Sequence, residues 1–257
     1  LVAVIKDFWY VPDPNQAQDL EKLREKALLT EFETYKNAKE RKLKLFRTEA
    51  VRAGFKAAYL SGGSLGWYKG VTEAGLSLTE MVQVALDIRT VCPIPVVLDA
   101  GAGFGDPVHM HRTVAMSEAA GIQCIEIEDQ LLPRRVEHHV GIDNLVTPQI
   151  AADRIREAVA ARTNPDTLII ARTDAIAVEG FNAAMDRIHA FREAGADVGF
   201  VEAPTNPEQI ATIARLPFPQ LINIVVGGKT PEIPNDELKK LGFAGVLYAN
   251  TALQAAV

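Results

Sequence analysis

The sequence predicts an α/β protein folded as a (β/α)₈ barrel of the TIM type. Its 257 residues are a usual length for one such barrel. Short apolar runs alternate with segments of helical periodicity from about residue 54 onward, as in a chain of repeated strand–helix units. A glycine that suits a left-handed helix end precedes several of these runs, as do Gly54, Gly121, Gly195 and Gly242.

Seven buried strands are predicted, near residues 57, 95, 124, 167, 198, 220 and 245, and a weaker eighth at Leu43 to Phe46. Their nearly continuous apolar runs are typical of a parallel sheet that is covered on both faces. An open doubly wound sheet is the alternative arrangement of such units. The barrel is favoured because no glycine fingerprint follows the first strand and because polar residues stand at the ends of nearly all strands.

Helical periodicity fills the gaps between the strands. Several of these segments begin with the serine, asparagine or proline that is common at helix starts. The predicted helices are Ser77 to Thr90, Pro107 to Ala119, Pro148 to Arg162, Asn182 to Glu193, Asn206 to Arg215 and Asn235 to Lys240.

Residues 1–42 are predicted to form a helical extension, and residues 43–257 the barrel. The segment from Gln16 to about Lys42 is rich in Glu, Lys, Leu and Ala, and a narrow apolar stripe runs along it through Leu20, Leu23, Leu28 and Leu29. A solvated amphipathic helix that packs on the barrel is the main interpretation. A contact with a partner or another subunit is the alternative.

The composition excludes several classes of partner. A net charge of −6 and a pI near 5.5 argue against nucleic acid and against an anionic membrane. The apolar runs fall well short of the roughly 18–20 residues that span a bilayer. Two cysteines, Cys92 and Cys124, are too few for a disulfide framework and lack metal-binding spacing, so we expect a reducing, cytoplasmic location.

Polar residues end the predicted strands, where an inert core would place apolar ones. Asp99, Glu128, Arg172 and Glu202 come from four different strands. The carboxyl ends of barrel strands converge on one mouth, so these side chains are expected to lie near one another. Carboxylates that face each other raise each other's pKa, and a divalent cation relieves this repulsion. Oxygen ligands without histidine or cysteine favour Mg²⁺ or Mn²⁺, and Arg172 suits a substrate carboxylate.

Each feature also has a plain structural interpretation. Gly101 to Gly105 can be a flexible loop, Arg172 and Asp174 a local ion pair, and His138-His139 part of a solvated loop. The convergence of so many polar residues on one rim is what favours a functional site over these alternatives.

At the same segments the sequence resembles the isocitrate lyase/phosphoenolpyruvate mutase superfamily, from about residue 50 to residue 257. Several motifs carry the resemblance and follow one another in the right order. They are Tyr59-Leu60-Ser61-Gly62-Gly63, Asp99 with Gly103-Phe104-Gly105, Ile127-Glu128-Asp129-Gln130, Ala171-Arg172-Thr173-Asp174-Ala175, Val201-Glu202-Ala203-Pro204 and Gly227-Gly228-Lys229-Thr230-Pro231.

The resemblance implies a barrel that exchanges its last helix with a neighbouring subunit, in a homotetramer or homodimer, and that binds Mg²⁺ or Mn²⁺ with 2-oxo acids or their enolates. By position, it implies that Asp99 is a metal ligand and that Glu128 holds metal-bound water. It implies that Arg172 grips the oxygens of the 2-oxo acid and that Glu202 is an acid/base or supporting carboxylate. Further substrate contacts are implied for Tyr59, Ser61, Gly62, Gly63 and Asn223.

Three positions depart from the pattern of the superfamily's lyases. Gly101 stands where these lyases usually carry the second acid of Asp-Ala-Asp, and Val226 stands where many relatives have a glutamate. Val136 replaces the cysteine of the Lys-Lys-Cys-Gly-His loop, and valine cannot transfer a proton. In this loop His138 stands at the histidine position and Glu137 is a new ionisable group beside it, so these two are the candidate catalytic groups.

The sequence therefore predicts a Mg²⁺-dependent carbon–carbon lyase or decarboxylase that acts on a small 2-oxo or 2-hydroxy di- or tricarboxylate, with the metal and Arg172 stabilising the enolate. The first alternative is phosphonate chemistry, as in a phosphoenolpyruvate mutase or phosphonopyruvate hydrolase, with Arg134 and Arg135 on the phosphoryl group. The second is a barrel that binds a carboxylate without turnover, because Gly101, Val136 and Val226 each remove a group that a lyase uses.

Overall fold

The computed structural model describes residues 3–5, 54–90, 92–131 and 144–249, and of residues 3–5 the backbone alone. In these residues eight strands close into one barrel, in the order in which they follow along the chain. They are β1 (Ala3–Ile5), β2 (Ala57–Leu60), β3 (Val96–Asp99), β4 (Cys124–Glu128), β5 (Leu168–Thr173), β6 (Val198–Val201), β7 (Gln220–Asn223) and β8 (Gly245–Tyr248). Strands β2 to β8 are parallel, which confirms the predicted barrel and its seven buried strands.

The eighth strand comes from another part of the chain than the sequence predicts. β1 pairs antiparallel with both β2 and β8 and so closes the barrel between them. A short run such as Ala3-Val4-Ile5 suffices, because a strand in either direction can pair with the backbone groups of both neighbours. Leu43 to Phe46, where the sequence predicts this strand, lies outside the described residues.

Ala3–Ile5 thus belongs to the barrel wall although it precedes the predicted boundary at residue 43. The boundary itself and the helical extension from Gln16 fall on residues outside the described part of the chain. The same holds for residues 250–257, so the exchanged last helix also stays a prediction.

The described α-helices include all six that the sequence predicts. The start of α2 shows why such starts are predictable: Ser77 and Glu80 exchange side-chain-to-backbone hydrogen bonds in a capping box. None of the described helices is long and apolar enough to cross a membrane. The helices are α1 (Gly62–Lys69), α2 (Leu78–Arg89), α3 (Met110–Ala119), α4 (Pro148–Ala161), α5 (Ala175–Val178), α6 (Phe181–Glu193), α7 (Pro207–Ala214) and α8 (Asn235–Leu241).

Two details refine the predicted pattern. The four glycines that precede apolar runs, Gly54, Gly121, Gly195 and Gly242, all have a left-handed φ, between 68° and 112°, as predicted. The predicted helix from Pro107 to Ala119 is divided, because Pro107–His109 forms a separate 3₁₀ turn before α3 begins at Met110.

Alternate strand residues form the inside of the barrel. Ile125 and Ile127 on β4 belong to the large core that contains the helices, whereas Cys124 belongs to a separate inner cluster. Because side chains alternate across a strand, the polar residues nearer the carboxyl ends continue the inner face. The inner cluster, which is the floor beneath those polar residues, consists of Ala57, Tyr59, Val97, Cys124, Ile170, Val198, Phe200, Leu221 and Leu247.

Candidate active site

Arg172, on β5, lies within a cage of carboxylates at the carboxyl ends of the strands. Its Nη2 and Nε atoms donate to Oδ1 of Asp174, at 2.9 and 3.3 Å. Its Nη1 lies 3.4 Å from Oε1 of Glu126. Its Nε lies 3.7 Å from Oε2 of Glu128, and its Nη2 lies 3.7 Å from Oε2 of Glu202. Every nitrogen of the guanidinium therefore faces at least one carboxylate.

The strand register explains this arrangement. Glu128 and Arg172 are direct partners across β4 and β5, and Arg172 and Phe200 are direct partners across β5 and β6. The guanidinium carbon of Arg172 lies 5.1 Å from the centre of the Phe200 ring, within the range of a cation–π contact. The ring covers one face of the planar guanidinium, and the N–H groups at the edge of the guanidinium are directed toward the carboxylates.

Asp99 ends β3 beside this cage. Its Oδ2 accepts a hydrogen bond from the amide of Gly62 at 3.1 Å, and its Oδ1 accepts one from the amide of Gly101 at 3.0 Å. Gly101 has a left-handed φ of 54°, a conformation that glycine adopts without strain. A carboxylate has about four acceptor positions, so Asp99 is oriented by the backbone and still has lone pairs for a ligand.

A cavity of about 300 Å³ lies against Asp99. Its wall includes Gly62 at the start of α1, the side chain of Glu73, and the loop from Ala100 to Gly105. Glu73 packs so closely on Gly62 that a Cβ there would lie 2.3 Å from Oε1 of Glu73. Only glycine therefore fits at position 62 while Glu73 keeps this place.

Backbone strain is concentrated around the same mouth. Phe104 and Ala203 are the non-glycine residues of the described chain with a positive φ, at 61° and 56°. Phe104 lines the cavity beside Asp99, and Ala203 directly follows Glu202. Such a conformation is unfavourable for a bulky side chain and is found most often at functional sites.

The mouth holds more negative charge than Arg172 neutralises. Five carboxylates share it: Asp99, Glu126, Glu128, Asp174 and Glu202. Burial raises the pKa of Glu126 to about 8, although Arg172 acts to lower it. Burial also raises the pKa of Glu202, again against the effect of Arg172. Buried carboxyl groups with a raised pKa are stabilised either by binding a proton or by a second cation nearby.

The donor set fits a hard divalent cation. Mg²⁺ prefers oxygen ligands, and it usually takes only one or two carboxylates and keeps several waters. Oε2 of Glu126 is buried and accepts no hydrogen bond from a described residue, so the mouth also contains an unsatisfied acceptor. In the described part of the chain no three Asp, Glu, His or Cys side chains form a ready-made metal cluster.

Asn223 and Tyr59 complete the mouth. Nδ2 of Asn223 lies 3.3 and 3.4 Å from the two carboxylate oxygens of Glu202, to which it donates. Tyr59 is 3% exposed, and burial, with Asp99 and Glu126, raises the pKa of its hydroxyl. The phenol therefore stays protonated and can donate a hydrogen bond within the mouth.

The family model of phosphoenolpyruvate phosphomutase matches residues 47–257 of this chain. The match contains all the strands from β2 to β8 and every described residue of the mouth. The chain belongs to the phosphoenolpyruvate mutase/isocitrate lyase superfamily.

Two relatives in this superfamily are similar over most of their length. The 2,3-dimethylmalate lyase of Eubacterium barkeri is 39% identical over 208 residues, which are 80% of this chain and 72% of that protein. The 2-methylisocitrate lyase of Salmonella typhimurium is 41% identical over 214 residues, which are 80% of this chain and 71% of that protein.

Two solved structures of the superfamily were determined with small ligands. Oxaloacetate acetylhydrolase in complex with the inhibitor 3,3-difluorooxalacetate has a TM-score of 0.76 and 33% identity, and the match covers 83% of this chain and 74% of that chain. Phosphonopyruvate hydrolase in complex with oxalate and Mg²⁺ has a TM-score of 0.72 and 30% identity, over 83% and 75% of the two chains. They confirm the family and fold that the sequence predicts.

The structure of this superfamily member brings most of the predicted site residues together. Asp99, Glu128, Arg172, Glu202 and Asn223 share one mouth, and Tyr59 lies at its floor. The individual roles that the resemblance implies for these residues stay predictions. Glu137 and His138, with Val136, lie outside the described residues.

Ser61, Gly62 and Gly63 lie at the start of α1, and the first two form hydrogen bonds within the protein. The hydroxyl of Ser61 accepts from the amide of Ser64 at 3.3 Å and caps the helix. The amide of Gly62 donates to Asp99. The contact of this segment with a substrate carboxylate, which the resemblance implies, stays a prediction.

Glu126 belongs to the site of this superfamily member although the sequence prediction does not assign it. The sequence could have indicated it, because Cys124, Glu126 and Glu128 are spaced two residues apart on one strand and therefore share one face of that strand. The ion pair of Arg172 with Asp174, which the sequence offers as a structural alternative, is present and is part of the cage.

A buried network supports the cage from the side of the helices. Arg187, on α6, is 1% exposed. Its Nη2 and Nε donate to the two carboxylate oxygens of Glu179, at 2.8 and 2.9 Å. Its Nη1 donates to the carbonyl of Val146 at 3.0 Å and lies 3.4 Å from Oδ2 of Asp129. Nothing in the helical pattern of the sequence distinguishes this arginine from those on solvent-facing positions.

Replacing Arg187 with methionine should lower the free energy of unfolding by about 3 kcal/mol, because Asp129 stays buried without its cation. The matched control is Arg192→Met, on the same helix but exposed, for which we expect a change within about 0.5 kcal/mol. Urea denaturation of both variants measures the difference. Equal effects of the two substitutions would show that the buried network contributes nothing specific to stability.

Proposed function

We propose that this protein is a Mg²⁺-dependent carbon–carbon lyase or decarboxylase that acts on a small 2-oxo or 2-hydroxy di- or tricarboxylate. The observation that carries the proposal is the carboxylate cage of Arg172 beside Asp99, at the mouth where barrel enzymes place their active sites. The relatives support it, since two are named as lyases of 2,3-dimethylmalate and 2-methylisocitrate.

Asp99 and Glu128 are the residues proposed to hold the metal. They end neighbouring strands, and Asp99 is already oriented by two backbone amides. A bound Mg²⁺ would polarise a carbonyl oxygen and stabilise negative charge that develops on it. Mn²⁺ should replace it, because it accepts the same oxygen ligands. The Mg²⁺ and oxalate in the similar phosphonopyruvate hydrolase support this assignment for the present chain.

Glu202 is the proposed base for a 2-hydroxy acid. Burial raises its pKa, and Asn223 holds its carboxylate in place. An oxygen of Glu202 takes the hydroxyl proton, and the electron pair of the O–H bond forms the carbonyl of one product. The carbon–carbon bond breaks, and its electron pair passes to the other fragment as an enolate. The Arg172 guanidinium, 3.7 Å from Glu202, stabilises the negative charge that develops on the enolate oxygen.

The enolate carbon must finally receive a proton. Glu137 and His138 are proposed as its source, because they remain in the loop where the superfamily's lyases carry a cysteine. Water is the alternative source, which suits decarboxylation or hydrolysis of an oxaloacetate-like acid. The similar structure of an oxaloacetate acetylhydrolase supports such acids as members of the test panel.

The test is a panel of 2-oxo and 2-hydroxy di- and tricarboxylates, incubated with purified protein and followed by proton NMR, with Mg²⁺ and with EDTA. The proposal predicts that pyruvate, glyoxylate or acetate is released from at least one acid and only with the metal. Absence of all three products with Mg²⁺ present would contradict it. Phosphonopyruvate belongs to the panel because of the similar hydrolase, and phosphorus NMR would reveal its turnover.

We further propose a homotetramer or homodimer with exchanged last helices and a cytoplasmic location. The first rests on the resemblance, and the second on the two cysteines, Cys92 and Cys124, which are buried and form no disulfide. Light scattering of the purified protein tests the subunit number. A monomer at micromolar concentration would contradict the assembly.

Restoring an acid at position 101 should tighten metal binding. Gly101 lies two residues from Asp99 and lines the same cavity, and its φ of 54° is one that aspartate and asparagine tolerate better than most residues. We expect Gly101→Asp to bind Mn²⁺ up to about tenfold more tightly, the scale of one supporting carboxylate. Gly101→Asn is the matched control, with the same shape and no charge. Equal Mn²⁺ affinities of the two variants would show that position 101 does not face the metal.

A further inference from the structure

Asp174, the closest carboxylate to Arg172, and the preceding Thr173 are held by three hydrogen bonds to the two residues that follow β4. The side-chain amide of Gln130 donates to Oδ2 of Asp174 at 3.0 Å. The backbone amide of Asp174 donates to Oδ1 of Asp129 at 3.0 Å. The hydroxyl of the preceding Thr173 donates to Oδ2 of Asp129 at 2.6 Å. Hydrogen bonds that involve side chains therefore connect the segment after β5 to the segment after β4, in addition to the backbone hydrogen bonds between the two strands.

Gln130 is the member of this set that determines the rotation of the Asp174 carboxylate. Oδ1 of Asp174 accepts hydrogen bonds from both Nε and Nη2 of Arg172, and Oδ2 accepts one from the side-chain amide of Gln130. With Gln130 absent, only one oxygen is fixed, and the carboxylate is free to turn about its terminal bond. The guanidinium would then be drawn toward Glu128 and Glu202, each already 3.7 Å away.

Gln130 is itself fixed from the helix side. Its backbone carbonyl accepts from Nη1 of Arg154, on α4, at 2.9 Å, and Arg154 is 2% exposed. Gln130 also forms an isolated antiparallel bridge with Leu145. The Gln130 side chain is buried, at 3% exposure, and its amide is directed away from solvent onto Asp174. Buried amides that are held in this way are rigid, as an orienting group must be.

We propose that Gln130 is a positioning residue that sets the orientation of the Arg172 guanidinium through Asp174. The inference rests on the proposed function, in which Arg172 stabilises the enolate. Gln130 does not touch the reacting atoms, and its effect is transmitted by one hydrogen bond to Asp174 and by the fork of Arg172 on that carboxylate.

The test compares Gln130→Met with Gln220→Met. Gln220 is also a buried glutamine, at 1% exposure, but it lies at the amino end of β7, and its amide donates to the carbonyls of Phe218 and Pro219. We expect Gln130→Met to lower kcat about a hundredfold, the effect of a small misplacement of a catalytic group, with a smaller change in KM. We expect Gln220→Met to lose stability without a change in kcat. A kcat for Gln130→Met within a few-fold of the parent protein, in a folded variant, would overturn the proposal.

A double variant separates positioning from general damage. If Gln130 acts through Asp174, Gln130→Met should reduce kcat much less in an Asp174→Asn background than in the parent protein. Effects that multiply fully in the double variant would show that Gln130 acts by another route, and so would overturn the proposal.

Chemical labelling gives a readout that needs no turnover. Phenylglyoxal modifies accessible guanidinium groups, and mass spectrometry of the peptide measures the rate at Arg172, which is 16% exposed in its cage. We expect faster labelling of Arg172 in Gln130→Met and an unchanged rate in Gln220→Met. Equal rates in all three proteins would contradict the positioning role. A parent protein without turnover but with this difference in labelling would contradict the proposed function alone.

Discussion

Replacing Arg172 with methionine should lower kcat by about a thousandfold, the scale of losing a preorganised donor at a developing oxyanion. The same change leaves Glu126, Glu128, Asp174 and Glu202 at one mouth without their common cation. We therefore also expect the free energy of unfolding to fall by about 3 kcal/mol. Steady-state kinetics and urea denaturation measure the two effects.

Arg172→Lys distinguishes charge from geometry. Lysine keeps the positive charge but has no planar fork for Asp174, so stability should largely return while kcat stays about a hundredfold low. The matched control is Arg162→Met. Arg162 has a similar exposure, 19% against 16%, and an ion pair with Asp197 at 2.6 Å, but it lies near the amino ends of the strands. We expect Arg162→Met to lose stability and to keep the kcat of the parent protein. An Arg172→Met enzyme with more than a tenth of the parent kcat would contradict the proposed role of Arg172.

Asp99→Asn should weaken Mn²⁺ binding by about a hundredfold or more, because it removes the charge of a principal ligand from a site with few carboxylates. The substitution keeps the shape of the side chain. Only one of the amides of Gly62 and Gly101 can keep an oxygen acceptor, so a modest loss of stability accompanies it. Electron paramagnetic resonance of free Mn²⁺ in a titration measures the affinity without any substrate.

Asp166→Asn is the control for this substitution. Asp166 is exposed in the turn before β5, at the amino end of the strand, whereas the mouth lies at the carboxyl ends, and its loss should leave Mn²⁺ affinity unchanged. Turnover by Asp99→Asn at saturating Mg²⁺ should fall at least as far as the affinity does. Undiminished Mn²⁺ binding by Asp99→Asn would place the metal elsewhere in the protein.

The fold could be predicted wherever the sequence carries a local signal. The apolar runs of β2 to β8 and the left-handed glycines such as Gly121 and Gly195 repeat regularly, and the structure confirms them. The strand Ala3–Ile5 could not be predicted in the same way. It is three residues long and is defined by pairing with Tyr59 and Leu247, which are distant along the chain. A contact of that kind leaves no periodicity in the sequence.

The candidate site, like the fold, could be predicted only in part. Asp99, Glu128, Arg172 and Glu202 could be predicted because each ends a recognisable strand, and strand ends converge. The contacts of each side chain could not be predicted, because the distances between these side chains depend on the register of the strands. The supporting arginines, Arg154 and Arg187, occupy ordinary helical positions. Their burial follows from how α4 packs beside β4 and β5 and how α6 packs beside β5 and β6, which sequence periodicity does not specify.

Binding of oxalate tests the central claim most directly, because oxalate resembles the enolate of a small 2-oxo acid and needs no turnover. Isothermal calorimetry of the parent protein and of Asp99→Ala, each with Mg²⁺ and with EDTA, gives the four affinities. A joint metal and carboxylate site at the mouth predicts that oxalate binds the parent protein only with Mg²⁺ and that Asp99→Ala does not bind it. Equal binding of oxalate by Asp99→Ala and the parent protein would contradict a metal site at Asp99.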